Sequence, residues 1–237
     1  MLKSLYEAIR NDAEPAIFEI DNRQYSDKRL FPIEQPKPVA ITVSTLTGLT
    51  QYLASNVDNL DIKSLLCHVV SPTYVAISSK LLQPFLDRNF YIEAKLVQID
   101  LPFNKWMDAE AFIIAMQACF TDRPTPTSKM EILKYLSSIS SIVESGATDD
   151  GVSQAVSIKS GIASKALSVL PNPVTLRPYR TFTEVEQPAS QFVFRIRQDK
   201  GFQYSLTEAD GGAWRNQAMS YIQEFMENAV PGLNVIA

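Results

Sequence analysis

Two apolar periods alternate along this chain. Helical spacing of three and four residues runs over 2–10 (Leu2, Leu5, Tyr6, Ile9) and 44–55 (Leu46, Leu49, Tyr52, Leu53). It returns over 109–120 (Ala109, Phe112, Ile113, Met116, Phe120) and 213–229 (Trp214, Ala218, Tyr221, Ile222, Phe225, Met226). Each stripe predicts an amphipathic helix. Ser44 or Thr45, and Asp108, stand where N-caps belong. From 128 to about 144, Ile132, Leu136, Ile139 and Val143 repeat with 4-3-4 spacing, with Leu133 and Ile142 beside them. Ser128 and Glu131 form a capping box, and Gly146 suits the C′ position. This seam predicts a helix packed on 109–120 across the short Pro124/Pro126 connection. Its knobs-into-holes spacing also makes Ile132, Leu136, Ile139 and Val143 candidates for a subunit interface, together with Trp214.

Strand signals fill the gaps. Residues 17–20 and 23–25 flank Asp21-Asn22 as a hairpin, and 64–70 and 74–81 flank Ser71-Pro72-Thr73 in the same way. Pro32, Pro36 and Pro38 make 27–38 an extended tether. Residues 39–43 form a short strand. Residues 88–97 alternate strictly, with Phe90, Ile92, Ala94 and Leu96 on one face and Tyr91, Glu93, Lys95 and Val97 on the other. The polar stretch 145–173 holds a turn at Asp149-Asp150-Gly151 and one weak strand near 152–158. Strands are expected at 174–176, 181–185, 191–197 and 202–206. Asp210-Gly211-Gly212 then leads into the closing helix, with Asp210 as its cap and Trp214 as its anchor. Strand clusters broken by helices predict an α+β fold: antiparallel sheets, a central helix pair and a C-terminal amphipathic helix. Three segments follow: 1–38 (helix, hairpin and tether), 39–145 (α+β core with the helix pair) and 146–237 (β-rich with the closing helix, continuous or not with 39–145).

Hydrophobic residues at 46% and charged residues at 20% describe a globular chain and exclude a disordered one. The net charge of -4 supplies no basic field for avid nucleic-acid binding. No apolar run approaches the ~20 residues of a membrane span, and the opening Met-Leu-Lys-Ser-Leu-Tyr-Glu lacks the apolar core of a secretory signal. No membrane partner is therefore expected. Cys67 and Cys119 sit in apolar segments and read as buried thiols of a reducing compartment. One histidine, His68, and two cysteines fall short of a zinc site. Cys67 and His68 are neighbours on a strand and point to opposite faces, so they make no catalytic pair. No cofactor and no metal are expected.

Chemistry has few places to sit. No G-x-G-x-x-G, Walker-type loop or G-x-S-x-G elbow occurs. Glu93-Ala94-Lys95 places an acid and an ammonium on one strand face, as a magnesium nuclease or other metal-dependent hydrolase would; only Asp61 or Asp87 could serve as its upstream acid. Glu184 and Glu186 share a face of the expected strand 181–185 and its extension. Five of the ten arginines, Arg177, Arg180, Arg195, Arg197 and Arg215, lie between 177 and 215, with Tyr179, Phe182 and Tyr204 nearby. Guanidinium groups beside aromatic rings on a sheet suit single-stranded nucleic acid, with charge on phosphate and rings under bases. Six basic and five acidic residues across 177–215 suit an internal or subunit Arg–carboxylate network better.

Several runs occur in a fixed order: Thr45-Leu46-Thr47-Gly48-Leu49, Val70-Ser71-Pro72-Thr73, Trp106-Met107-Asp108-Ala109-Glu110-Ala111-Phe112, Asp149-Asp150-Gly151-Val152-Ser153-Gln154, Pro178-Tyr179-Arg180-Thr181-Phe182-Thr183-Glu184-Val185-Glu186-Gln187-Pro188, and Glu208-Ala209-Asp210-Gly211-Gly212-Ala213-Trp214. In this combination, over roughly 40–230, the chain resembles a group of phage and prophage proteins without an assigned activity, and more distantly the YfdQ-like prophage proteins. The resemblance implies a phage-encoded protein of the host cytoplasm and supplies no catalytic residues. The function expected is that of a non-enzymatic, homo-oligomeric interaction protein, its partners being copies of itself and host or phage proteins. The alternatives are a single-strand-binding replication or recombination accessory protein and a metal-dependent hydrolase.

Overall fold

The computed structural model describes residues 17–20, 23–26, 36–83, 86–123, 129–140, 145–149, 154–158, 172–198 and 201–237. The chain divides into two units, Met1–Lys37 and Pro38–Ala237. In the first, β1 (Ile17–Ile20) and β2 (Arg23–Ser26) pair antiparallel, with Ile20 opposite Arg23. The expected helix 2–10 and most of the tether lie outside the described residues.

The second unit carries two hydrophobic clusters. One is built on a five-stranded sheet of β3 (Ile41–Val43), β4 (Leu65–Ser71), β5 (Tyr74–Ser79), β6 (Phe90–Lys95) and β12 (Asn234–Ile236), in the order β12-β4-β5-β6-β3. Its central pairs are antiparallel, and each edge strand joins parallel to its neighbour. Leu65, Cys67 and Val69 alternate with less buried residues along β4, as do Ile92 and Ala94 along β6, which is the pattern of a sheet covered on one face. The cover is α1 (Leu46–Ser55) and a C-terminal helix, α4 (Trp214–Ala229), which contribute Leu46, Leu49, Leu53, Ile222 and Met226. Thr45 caps α1, its hydroxyl accepting from the Gly48 N–H at 3.0 Å, and Asn56 ends it in the left-handed conformation.

The other cluster lies between α2 (Ala109–Cys119), α3 (Lys129–Ser140) and a three-stranded sheet of β9 (Val174–Leu176), β10 (Ser190–Gln198) and β11 (Phe202–Glu208), ordered β11-β10-β9. Asp108 caps α2 on the Ala111 N–H at 2.8 Å. Phe194 and Tyr204 stack with ring centroids 6.2 Å apart, and Phe112 of α2 meets them at 5.7 and 5.6 Å. Ile132 and Leu136 of α3 are fully buried in the same cluster. Among the described residues, no helix is long and apolar enough to cross a membrane.

The architecture is α+β, as expected, and four local readings change. Two antiparallel strands, β7 (Ser145–Asp149) and β8 (Gln154–Ile158), stand where one strand near 152–158 was expected. Ser-Gly-Ala-Thr-Asp carries too few apolar residues to display a strand period, and Gly146 stands in β7 rather than behind α3. Residues 181–185 form turns, not a strand. The Gln187 amide takes the hydrogen bonds a ladder would use: Oε1 accepts from the Arg180 and Thr181 N–H groups, and Nε2 donates to the Thr181 and Phe182 carbonyls. Asp210 does not cap α4; its carboxylate accepts from the Gly212 N–H at 3.0 Å, while Ala213 holds the cap position without a side-chain bond. Strand β12 was not predicted, because three residues next to Pro231-Gly232 show no period. The Ser128/Glu131 capping box includes Ser128, which lies outside the described residues.

Candidate functional site

The loop that leaves β9 is pinned before it reaches the site. The Thr121 N–H donates to the Arg177 carbonyl and the Tyr179 N–H to the Cys119 carbonyl, each at 2.9 Å. This lays Pro178 against Phe120 as an isolated bridge at the end of α2. The Gln187 amide then turns the chain so that the Arg180 side chain runs inward.

Arg180 is only 4% exposed. One terminal nitrogen, Nη1, pairs with Glu208 at the end of β11, and the other, Nη2, donates to the Ser190 hydroxyl at the start of β10. Its guanidinium carbon lies 4.0 Å from the centroid of the Trp214 ring, and that of Arg215 lies 5.2 Å from the same ring. Burial pulls the Arg180 pKa down to about 10, and Arg215 adds to the lowering; Glu208 and Asp210 act against it. The group therefore stays protonated at neutral pH. The Arg215 guanidinium lies over Gly212. At φ +81° Gly212 adopts a conformation that favours glycine, and an added Cβ would stand 2.1 Å from Arg215 Nη1.

Arg180, Trp214, Arg215 and Glu208 line one side of a cleft of about 200 Å3, and Leu101, Phe103 and Tyr179 contribute apolar and aromatic wall. Trp214 Nε1 and Arg180 Nε are buried and have no hydrogen-bond partner among the described residues. A wider concavity of about 590 Å3 also contacts Tyr179 and is lined by Thr121, Arg123, Thr183 and Val185.

The arginines read as one face in sequence thus separate in space. Tyr179, Arg180 and Arg215 meet at the cleft. Arg177 pairs with Glu186 and donates to the Gln187 carbonyl at 2.9 Å, with Arg123 3.6 Å from the other Glu186 oxygen. Arg195 and Arg197 lie on β10 opposite Ser205 and Gln203. Arg197 donates from Nε to the Gln203 amide oxygen, and its guanidinium lies 4.3 Å from the ring centroid of Trp106, which is 40% exposed. Tyr204 is 0% exposed and packs among Phe112 and Phe194, so it is a core residue that cannot meet a ligand. Ile132 and Leu136 spend their seam inside the chain, against α2 and the three-stranded sheet, and Trp214 is likewise buried in its own chain. None of these three is available to a second subunit. The Ile139 side chain and Val143 lie outside the described residues. Sequence reasoning passed over Leu101, Phe103 and Trp106 as binding residues; the available signal was an aromatic-rich run, Phe103-Asn104-Lys105-Trp106, with no helical or strand period.

The acids proposed for hydrolysis hold structure instead. Glu93 accepts from the Thr42 hydroxyl at 2.9 Å, from the Tyr74 hydroxyl at 2.8 Å and from Lys95. The Lys95 bond, helped by the two hydroxyls and opposed by partial burial, holds its carboxyl below the usual range. Asp61 caps a 3₁₀ turn on the Lys63 N–H. Glu184 and Glu186 diverge: Glu184 reaches the Thr47 N–H at the start of α1, at 3.1 Å, while Glu186 joins Arg177. Among the described residues, no group of three or more His, Cys, Asp or Glu is placed to hold a metal. Cys67 and Cys119 are buried free thiols, and burial pushes Cys67 up to about 12. His68 is exposed on the opposite face of β4.

A further surface stands at the β3 end of the five-stranded sheet. Val39 is 92% exposed, and Ile41, Leu81, Leu86 and Phe90 are exposed too. Ile41 pairs with Ile92, while a register shift in the β5–β6 pairing sets Phe90 opposite Ser78, so the strict alternation expected along 88–97 breaks at Tyr91 and Phe90 leaves the buried face of Ile92. Comparisons with protein-family models, with curated proteins and with solved structures gave no match.

Proposed function

We propose that this chain is a phage-encoded, non-enzymatic interaction protein of the host cytoplasm that associates with copies of itself. The observation that carries this reading is the exposed apolar residues at the β3 edge of the five-stranded sheet, Val39 and Ile41, with Phe90 at the start of the neighbouring β6. Exposed apolar surface gathered at one place marks interaction sites in folded proteins. Among the described residues strand β3 is an edge strand, paired with β6 alone, and an unpaired edge is a template for another strand. A second copy fits because an isologous contact sets a patch against itself. Val39, Ile41, Leu81, Leu86 and Phe90 carry no charge and meet their copies without repulsion. The test is sedimentation at micromolar concentration. The wild-type chain sediments above its 26.5 kDa monomer mass, and Ile41→Arg with Phe90→Glu returns it to the monomer. A wild-type mass of one chain at every concentration ends this reading.

A second reading, single-strand nucleic-acid binding, is favoured by the Trp106–Arg197 pair, an exposed ring carrying a guanidinium. It predicts salt-dependent binding of an oligonucleotide that Trp106→Ala and Arg197→Ala weaken. No binding at low salt refutes it.

A further inference from the structure

We infer that the Arg180–Trp214–Arg215 cleft is a binding site for a carboxylate carried on a small apolar group, as at the end of a peptide chain. This goes beyond self-association and does not depend on it.

Three observations converge. First, three donors beside the cleft have no hydrogen-bond partner among the described residues, while Gln98 adds an amide that both donates and accepts. Glu208 is spent on Arg180 and Asp210 on the Gly212 N–H. Arg180 Nε and Trp214 Nε1 have no acceptor among the described residues, and no ion pair among those residues holds Arg215, which is exposed at the mouth. Arg215 is the exposed donor of the three, and a guanidinium without an acceptor calls for an acceptor-only group, of which a carboxylate is one. Second, the site is built rather than incidental. Arg180 is almost fully buried and braced by Glu208, Ser190 and the Trp214 ring. Arg215 lies over a glycine whose missing Cβ leaves room for it. Third, the size selects the ligand. A cleft of about 200 Å3 falls below the ~300–1,000 Å3 of sites for drug-sized ligands and suits one side chain with its terminal group. Leu101, Phe103 and Tyr179 supply the apolar wall such a side chain needs.

The chain has two tryptophans, so Trp106→Phe leaves Trp214 as the only indole reporter, inside the cleft. In that background, N-acetyl-leucine titrated into the protein should change Trp214 fluorescence saturably. N-acetyl-leucinamide, identical but for the charge, should bind about tenfold or more weakly, the worth of a charge-assisted hydrogen bond. Inorganic phosphate serves as the rival oxyanion and should also bind more weakly. Arg215→Ala, at an exposed position, should keep the circular-dichroism melt and lose affinity by about tenfold or more. Gly212→Ala should weaken binding in the same direction by displacing the guanidinium. Equal binding of the amide, phosphate bound as tightly as the carboxylate, no loss in Arg215→Ala, or no saturable signal from N-acetyl-leucine would each overturn the inference. Sedimentation reads none of these outcomes, so failure here leaves the self-association test standing.

Discussion

Replacing Gln187 with alanine tests whether one side-chain amide holds the loop that presents Tyr179 and Arg180. Gln187 is buried. Its oxygen satisfies two backbone N–H groups, those of Arg180 at 2.9 Å and Thr181 at 3.2 Å, and its nitrogen serves the carbonyls of Thr181 at 3.2 Å and Phe182 at 3.0 Å. Alanine orphans two buried donors, at about 1–3 kcal/mol each. About 1.5 kcal/mol of glutamine rotamer entropy is regained, which leaves a net loss of about 3 kcal/mol. That is a large fraction of the ~5–15 kcal/mol that holds a domain folded. With a urea slope of about 2–3 kcal/mol per molar, the midpoint should fall by about 1 M, read by circular dichroism. Gln187→Glu separates bonding from volume. It keeps the acceptor for both N–H groups but sets a carboxylate against two carbonyls, which raises its folded pKa above the unfolded one. Its stability should therefore be greatest below the unfolded carboxyl pKa and fall as pH rises through the folded value. A loss under about 0.5 kcal/mol in Gln187→Ala, the range of ordinary surface changes, would refute the reasoning. A loss in Gln187→Glu that did not change with pH would also refute it.

Glu93 should contribute to acid sensitivity. Its folded carboxyl is depressed from the ordinary 4.5 by Lys95, Tyr74 and Thr42, so its contribution is full above the unfolded pKa and is lost as pH falls through the lower folded one. Glu93→Gln should flatten that acid limb in pH-dependent urea melts. Cys67, pushed up to about 12 by burial, should resist a thiol reagent in the native protein and label only on unfolding; fast labelling of folded protein would contradict its placement. Phe112→Ala removes a fully buried ring that meets both Phe194 and Tyr204, and it should cost about 3–5 kcal/mol in the same urea assay. A loss under about 1 kcal/mol would mean that α2 does not seal this core.

Periodicity alone was enough to locate α1, α2, α4 and the strands β4, β6, β10 and β11, because a packed face imposes its repeat on the residues that make it. Thr45 and Asp108 could be read as caps for a similar reason: the bond each makes reaches only three residues along the chain. Bonds that span longer distances left no such trace. Nothing local to 181–185 shows that Gln187 will take its backbone groups, and nothing in Asn-Val-Ile shows that it will pair with Leu66, Cys67 and His68 far earlier in the chain. The arginines teach the same lesson at the site. Their clustering between 177 and 215 is visible in the sequence, but β10 sends Arg195 and Arg197 outward, whereas the loop before it turns Arg180 inward onto Trp214. Residue type carries charge and ring chemistry from the start. Which of those groups share one cleft depends on strand pairing and burial, and these exist only once distant segments have packed together.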